Sequence, residues 1–464
     1  MARIDERNAP TRERRSGALS AFHGTLGGLK ALMSGETRQT LRTMTQCAPD
    51  DIVYATRALA GIEGAAVIVH GGAGCAASAL FAADASGSIF STNLDEKDSI
   101  LGGDKKLREA ISRAAAQGAS AVFVLGTPVT AINNDDVNSV ISEFEDSAGI
   151  RVIYANTDGF KSKTPVTGYD TASHCLLSGL VEGSWSERSP GERDFINLIT
   201  MSESPADVLS ILGVLEDMGI FVNVLPRYSS IDSVKRASHA AASAALNGGE
   251  GEYLAGGLEE SFGVRVVRTD SPIGIEATEH FVRAVADALG IGRDAERYIV
   301  TRRGVADAAV LKAPLGGCGV FLNMDLEAAA SFAALVRELG GEVTGIAVPY
   351  VDEFNKRLLD KFQDDKMPFI VANGQPFEIA NALSKTKSDF CVVPRGIAAS
   401  VLPIGTALIE WGREPCFGWD GILAFSSLID RLKNSRGIQS FRGGIYKKTW
   451  LSKSGNWHIK TEVR

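Results

Sequence analysis

Residues 65–75 read AAVIVHGGAGC: an apolar run, a histidine, four small residues and a cysteine. The run Ala65–Val69 is typical of a strand buried on both faces of a parallel sheet, and the Ala-rich stretch after Cys75 predicts a helix. His70–Cys75 is therefore a strand-to-helix turn without bulky side chains. Its glycines let the backbone approach a large group, and N–H groups at a helix start attract negative charge. The turn suits a phosphate, an anionic iron-sulfur cluster or, equally, tight packing.

Short apolar runs alternate with helical stretches along the rest of the chain. This alternation predicts an α/β protein with three Rossmann-like domains, each with a mainly parallel sheet flanked by helices. Gly-rich and charged turns are expected around Arg293–Ala308, between the second and third domains. The predicted division is an N-terminal tail at 1–40, domain I at 41–190, domain II at 191–305, domain III at 306–440 and a C-terminal tail at 441–464.

Composition restricts the partners and the location of the chain. With 464 residues, 45% of them hydrophobic, it has enough material for several buried cores. The formal charge of -8 argues against nucleic acid and anionic membranes as partners. No apolar window reaches the roughly 18 residues of a spanning helix, so a cytoplasmic protein is expected. The basic stretch Arg3–Arg15 also carries acids and is interpreted as a solvated tail.

The six cysteines lie far apart, at 47, 75, 175, 318, 391 and 416, without a close CxxC pair. Cys47 precedes Ala48-Pro49 and a predicted helix at Asp51–Ala60, after which the chain enters the strand that delivers Cys75. One crossover therefore connects the two thiols, which can reach the same sheet edge. Two cysteines do not complete an iron-sulfur cluster, which normally takes four or more ligands. Further ligands would come from other residues or from another chain.

Several segments resemble, in the same order, landmarks of the catalytic component of nitrogenases and nitrogenase-like reductases. The resemblance begins at Cys47–Cys75 and covers roughly residues 45–435. Its later landmarks are Leu94–Asp98, Gly102–Leu107, Thr127-Pro128 with Asn133–Asp136, Asn156–Phe160, Gly168–Asp170, Ile273–Thr278 and Phe417–Gly421.

The resemblance implies a specific assembly and cofactor set. It implies an α2β2 heterotetramer with an α-type partner and a separate ATP-dependent 4Fe-4S reductase that supplies electrons. Cys47 and Cys75 would bind part of an interfacial cluster, either a P-cluster-like 8Fe-7S group or a 4Fe-4S group. A complex iron-sulfur cofactor is expected in the α-type partner.

This chain departs from the family pattern at three places. Thr127 stands where the family often has a third cluster cysteine, and a turn hydroxyl is preferred to a ligand there. The cofactor cysteine is replaced by alanine within Tyr253–Gly263, and no cofactor histidine is evident near Cys416–Asp420. These departures predict a β-type chain that carries relay chemistry. Cys416 is considered a packed or interfacial thiol rather than a ligand.

The remaining positions have simpler explanations. Three cysteines are predicted to be small core residues, namely Cys175, Cys318 and Cys391. Gly316–Gly319 is discounted as a dinucleotide site because its glycines precede a predicted strand, whereas a phosphate-binding turn follows one. His70 is interpreted as a strand-end residue or as a proton or hydrogen-bond donor to a cluster. Asp135-Asp136 is preferred as a helix cap to a metal pair.

The favoured function is therefore a β-type subunit of a nitrogenase-like reductase, with reductive C–S cleavage of small methylthio-alkanes as the expected reaction. Three alternatives stay open. They are a subunit of a cofactor-assembly scaffold, the β subunit of a nitrogenase, and a subunit of a tetrapyrrole reductase.

Overall fold

The computed structural model describes residues 15, 19, 21–36, 50–82, 87–148, 150–160, 162, 164, 166–183, 195–312, 314–362, 369–394 and 406–434. Its strands, in chain order, are β1 Phe22–Gly24, β2 Ala65–His70, β3 Ser88–Ser91, β4 Ala121–Gly126, β5 Arg151–Asn156, β6 Phe195–Thr200, β7 Phe221–Pro226, β8 Ala242–Ala245, β9 Arg265–Val267, β10 Gly319–Asn323, β11 Glu342–Val348, β12 Phe369–Ala372, β13 Phe390–Pro394 and β14 Ala407–Trp411.

The α-helices, in chain order, are α1 Leu26–Met33, α2 Asp51–Leu59, α3 Ala73–Ala82, α4 Asp98–Leu101, α5 Asp104–Ala116, α6 Pro128–Asn133, α7 Val137–Ala148, α8 Thr167–Gly179, α9 Pro205–Asp217, α10 Ile231–Lys235, α11 Gly248–Phe262, α12 Ile275–Leu289, α13 Gly292–Val310, α14 Leu326–Glu338, α15 Pro376–Thr386 and α16 Gly418–Asn434. Short 3-10 helices span Arg236–His239 and Lys356–Lys361.

The predicted fold class is confirmed, because mainly parallel sheets are flanked by helices. The contacts group the chain into two compact units: Met1–Gly17 with Pro49–Ser202 and Ile220–Arg268, and Ala18–Ala48 with Glu203–Gly219 and Thr269–Arg464. The first unit contains two of the three sheets and the second unit contains one. The boundaries of the three predicted domains stay a prediction.

The first unit contains two four-stranded parallel sheets. One has the order β3-β2-β4-β5 and the other β7-β6-β8-β9. In the first of these sheets, β2 and β4 are fully buried, and their side chains pack with α5 and α7 in one core. On α5 the buried residues Leu107, Ala110, Ile111 and Ala114 recur every three or four positions, which places them on one helix face. Each large apolar side chain buried there contributes roughly 1.5–3 kcal/mol.

The second unit is built on a six-stranded sheet of order β1-β12-β11-β10-β13-β14. All its pairs are parallel except β1 with β12, which is antiparallel. Phe321, Ala347, Val371 and Cys391 of four adjacent strands form part of one core cluster under α15. Within the same unit α9 packs on α16, and Ser210 of α9 donates a hydrogen bond to the carbonyl oxygen of Phe417.

Two expectations about the N-terminal region are corrected. The predicted tail at 1–40 contains β1 and α1, and Arg15 is only 2% exposed rather than solvated. The Arg15 guanidinium contacts both carboxylate oxygens of Asp170, at 2.9 and 3.1 Å, and donates to the Gly249 carbonyl oxygen at 2.8 Å. This bidentate pairing offsets the cost of burying the charge. Residues 3–14 lie outside the described part of the chain.

The turns expected at Arg293–Ala308 are also wrong, because α13 spans 19 residues there. Polar composition suggested a loop, but Ala295, Ile299, Ala306 and Ala309 form a buried stripe along the helix. Charged residues occupy the remaining faces, where an ion pair such as Arg303 with Asp307 joins positions i and i+4.

No helix within the described ranges is both long enough and apolar enough to cross a bilayer.

Candidate functional site

The turn between β2 and α3 places Cys75 at the carboxyl edge of a parallel sheet. β2 ends at His70, α3 begins at Ala73, and Cys75 lies in the first helical turn with its N–H donating to the Gly72 carbonyl oxygen at 3.1 Å. Cys75 is half-buried. A Cβ added at Gly74 would meet no atom within 4 Å, and one at Gly72 would make only an ordinary contact at 3.6 Å. The turn is therefore open on the side of these two glycines.

Gly71 is tightly packed, in contrast to its neighbours. A Cβ added there would lie 2.6 Å from Oγ1 and 2.7 Å from Cγ2 of Thr127. Thr127 is fully buried, and its hydroxyl donates to the His70 carbonyl oxygen at 2.8 Å. The preferred interpretation of Thr127 as a turn hydroxyl agrees with this contact.

Thr127 belongs to a row of threonines that the sequence analysis did not identify. Thr92, Thr127 and Thr157 each stand directly after a strand, namely β3, β4 and β5. Each hydroxyl reaches back to the turn or strand end beside it: Thr92 Oγ1 accepts from the Gly71 N–H at 2.9 Å, and Thr157 Oγ1 donates to the Gly126 carbonyl oxygen at 2.7 Å. The parallel register brings these strand ends together, so the same residue type in the same place was the available signal.

His70 and Asp135 form a buried contact behind the turn. His70 is fully buried, the Asp135 side chain is 2% exposed, and His70 Nε2 lies 3.3 Å from Asp135 Oδ2. The other ring nitrogen, Nδ1, lies 3.2 Å from Thr92 Oγ1. Burial lowers the pKa of His70 to about 4, against the opposing negative charge of Asp104, and burial raises the pKa of Asp135.

The two adjacent acids 135 and 136 therefore have different roles. Asp136 accepts the Ser139 N–H at 3.0 Å in the first turn of α7, so the capping interpretation holds for it. It does not hold for Asp135, whose carboxylate turns inward to the histidine. The sequence does not distinguish the two acids, because neighbours on a chain look equivalent until the loop conformation is known.

An open cleft of about 690 Å³ adjoins the turn. Its charged walls come from the segment after β3, where Asp95 accepts the Lys97 N–H at 2.9 Å. Hydrogen bonds from the Asp98 N–H and the Lys106 side chain lower the pKa of Asp95 to about 2. The cleft is lined by Gly72, Leu94, Asp95, Glu96, Lys97, Ser99 and Val129.

The four other cysteines that the structure describes differ in burial. Cys175 and Cys391 are buried, as predicted, and burial raises the pKa of Cys175 to about 12. Cys318 is only half-buried, which corrects the core prediction, because it lies in the turn before β10. Cys416 is 6% exposed, and burial and nearby Asp207 raise its thiol pKa well above the usual value. The packed interpretation of Cys416 agrees with this burial.

The residues at the turn could bind part of a metal cluster, but they do not form a complete binding site. Cys75 offers one thiol beside open backbone, and the buried Thr127 hydroxyl already binds the His70 carbonyl oxygen. No group of three or more His, Cys, Asp or Glu side chains suited to a metal ion occurs in the residues that the structure describes. Cys47 lies outside those residues, so its approach to Cys75 stays a prediction. The turn is open at Gly72 and Gly74, and N–H groups at a helix start favour an anionic group.

Curated relatives of the chain include nitrogenase components and a protein that builds a nitrogenase cofactor. This chain is 31% identical over 235 residues to the nitrogenase iron-molybdenum cofactor biosynthesis protein NifE of Clostridium pasteurianum, covering 48% of this chain and 50% of that protein. It is 27% identical to the nitrogenase molybdenum-iron protein alpha chain of Methanothermobacter thermautotrophicus, covering 72% of each. It is 26% identical to the nitrogenase iron-iron protein beta chain of Rhodobacter capsulatus, covering 58% of this chain and 63% of that one. The chain spans about half the length of the first of these relatives.

A solved structure shares the fold. The structure titled "Nitrogenase Cp1 at pH 6.5" superposes with a TM-score of 0.73 at 18% identity, covering 86% of this chain and 95% of that chain. A family model described as "Nitrogenase component 1 type Oxidoreductase" matches residues 51–432, which is most of the chain. The chain belongs to the nitrogenase component 1 family of oxidoreductases.

Proposed function

We propose that this chain is a subunit of a nitrogenase-like reductase and holds part of an iron-sulfur electron relay through Cys75 and Cys47. The observation that carries the proposal is the half-buried Cys75, in the first turn of α3, beside two glycines that leave space at the sheet edge. When bound there, the cluster supplies storage for single electrons. Family membership supports iron-sulfur chemistry, and the nuclearity, 8Fe-7S or 4Fe-4S, belongs to the proposal.

The chain's own residues have three tasks in this function. Cys75 binds iron, and Gly72 and Gly74 leave room for the cluster. The packing of Thr127 on Gly71 fixes the strand end from which the turn departs. Since two thiols are an incomplete ligand set, a partner chain supplies the remaining coordination.

The proposed partners follow from the family. They are an α-type subunit in an α2β2 heterotetramer, which carries a complex iron-sulfur cofactor, and an ATP-dependent 4Fe-4S reductase. The β-type assignment of this chain rests on the alanine within Tyr253–Gly263 and on the missing histidine near Cys416–Asp420. The matches to relatives named as alpha chain and as NifE argue against the β-type assignment. The favoured reaction, C–S cleavage of methylthio-alkanes, rests on the sequence resemblance.

The test is anaerobic co-purification of the full chain with the α-type partner, followed by iron analysis and EPR of the reduced and oxidised forms. About four irons per αβ unit are expected for a lone 4Fe-4S relay, and more if a cofactor is present. Cys75→Ala should abolish the relay signal. Cys318→Ala is the matched control, since Cys318 is also half-buried beside glycines and should leave the signal unchanged. A complex without iron, or an unchanged signal in Cys75→Ala, would contradict the proposal.

A second candidate function is a cofactor-assembly scaffold. It is favoured by the match to relatives named as iron-molybdenum cofactor biosynthesis proteins. The loaded complex would then transfer its cofactor to a cofactor-free nitrogenase and would not reduce methylthio-alkanes. Methanethiol release in the presence of the reductase and ATP, without cofactor transfer, would reject the scaffold.

A further inference from the structure

The contact between His70 and Asp135 contains two buried polar atoms that face each other. His70 Nε2 and Asp135 Oδ2 are 3.3 Å apart, and neither atom has a hydrogen-bond partner among the residues that the structure describes. Leaving both unsatisfied would cost about 1–3 kcal/mol for each group. A small rotation of the imidazole would complete one hydrogen bond between them, with one proton lying between the two side chains.

Gly103 closes the space over this pair. A Cβ added at Gly103 would lie 2.7 Å from Cε1 of His70 and 3.0 Å from Oδ2 of Asp135. The backbone of the loop before α5 therefore lies directly on the two side chains and keeps them from solvent. The two side chains therefore have no direct contact with bulk water.

Thr92 connects the imidazole to the backbone of the turn. Its Oγ1 accepts from the Gly71 N–H at 2.9 Å and lies 3.2 Å from His70 Nδ1 and 3.3 Å from the Gly71 carbonyl oxygen. A hydroxyl has one proton to donate, so it donates to Nδ1, to that carbonyl oxygen or to the more distant Val69 carbonyl oxygen at 3.5 Å. The choice depends on which ring nitrogen of His70 carries the hydrogen.

Two protonation states follow, and they differ by one proton. In the first, Nε2–H donates to the Asp135 carboxylate, and Thr92 donates to Nδ1. In the second, protonated Asp135 donates to Nε2, Nδ1–H donates to Thr92, and Thr92 donates to the Gly71 carbonyl oxygen. The imidazole is neutral in both states, and only the net charge of the pair changes, from -1 to 0.

We propose that His70, Asp135 and Thr92 form a one-proton switch that positions the Gly71–Gly72 backbone, so that charge at the Cys75 site and protonation of the pair are coupled. The coupling rests on the proposed function, whereas the switch itself stands on the contacts of these three residues. More negative charge at the turn favours the protonated pair by Coulomb attraction. These residues position the turn and take no part in chemistry.

The electrostatic surroundings agree with neutral imidazole in both states. Burial lowers the pKa of His70 and raises that of Asp135, so charge on either side chain is disfavoured. Asp104, the first residue of α5, is the charged group that acts on both members from that helix, and it raises both pKa values. Thr92 and Thr127, which approach from the ends of β3 and β4, are uncharged.

The first test is a pH titration of the metal-free full chain labelled with ¹⁵N-histidine, followed by NMR. The His70 signals, assigned with His70→Gln, should move from the Nε2–H to the Nδ1–H tautomer as the pH falls, without forming imidazolium above a pH of about 4. Asp135→Asn should abolish this change, and Asp136→Asn, the matched control at the adjacent cap, should preserve it. Titration of wild-type His70 to imidazolium near its ordinary pKa of about 6.5 would overturn the switch.

The second test measures the pH dependence of the cluster midpoint potential in the iron-loaded complex. The potential should depend on pH over the range in which the His70 tautomer changes, and this dependence should be lost in Asp135→Asn and Thr92→Val but kept in Asp136→Asn. If the metal-free chain shows the tautomer change but the complex takes up no iron, the proposed function is rejected and the switch is supported. A pH-independent potential in wild type with a tautomer change present would overturn the coupling.

Discussion

Two glycine-rich segments of this protein contain a cysteine, and they lie at opposite ends of their strands. His70–Cys75 follows β2, whereas Gly316–Gly319 leads into β10. In the second segment the backbone is used within the protein: the Cys318 N–H donates to the Leu315 carbonyl oxygen at 2.8 Å, and the Gly319 N–H donates to Asp389 at 2.9 Å. In the first segment, space remains at Gly72 and Gly74. Because a binding turn follows its strand, we expect a ligand site in the first segment and not in the second, where Gly317 is also open.

The largest expected difference between the two segments is protection of the thiol by a bound cluster. Cys75 and Cys318 are both half-buried, so both should be alkylated in the metal-free chain. In the iron-loaded complex Cys75 should react at least roughly tenfold more slowly, because only the free thiolate is the nucleophile. Peptide mass spectrometry after timed alkylation measures both sites in one sample. Equal protection of Cys318 would remove the distinction between the segments.

Acid stability should distinguish the segments next, because only the first follows a buried histidine. The His70 pKa is lowered to about 4 in the folded protein and is about 6.5 in the unfolded chain. Between pH 6.5 and pH 4, His70 takes up a proton in the unfolded chain but stays neutral in the folded protein. The stability that is present above pH 6.5 is therefore lost as the pH falls to 4. This loss amounts to about 3 kcal/mol, and His70→Gln should remove it.

Urea unfolding at pH 7 and pH 4.5 measures this effect. His280→Gln is the control, because it is the same substitution at an exposed histidine. The raised pKa of Asp135 acts with the opposite sign, since the folded protein binds that proton first as the pH falls. Asp135→Asn should therefore steepen the loss on acidification. An identical pH dependence for wild type and His70→Gln would contradict burial of the neutral imidazole.

Much of this contrast could be predicted from sequence, and the missing part depends on side-chain contacts. The order of strand and glycines is a linear property, so the turn at Cys75 and the exclusion of Gly316–Gly319 followed from the sequence. The inward turn of Asp135 was not predictable, because its partner His70 lies 65 positions earlier along the chain. The burial of Arg15 against Asp170 has the same cause. Long-range pairing of polar groups leaves no periodic signal.

Within the first segment, alanine substitutions should change stability differently at the packed glycine and at the open glycine. Gly71→Ala places a methyl group against the buried Thr127 side chain and should cost about 1–3 kcal/mol of unfolding free energy. Gly74→Ala meets no atom within 4 Å and lies in α3, where alanine favours the helix by about 1 kcal/mol at most. Urea unfolding of the two variants measures the difference. Equal stability would mean that Thr127 moves aside and that the strand end is not fixed.

A smaller loss of stability than that of Gly71→Ala is expected in the second segment, where the glycine is needed for its backbone conformation rather than for packing. Gly317 has φ of +73°, and a Cβ there would meet no atom within 4 Å. Gly317→Ala should therefore cost only the conformational penalty of about 1–2 kcal/mol, without a packing term. Gly304→Ala, also in open space but inside α13, is the control and should stabilise by about 1 kcal/mol. If Gly317→Ala cost more than Gly71→Ala, backbone strain would outweigh packing, and the contrast between the two segments would reverse.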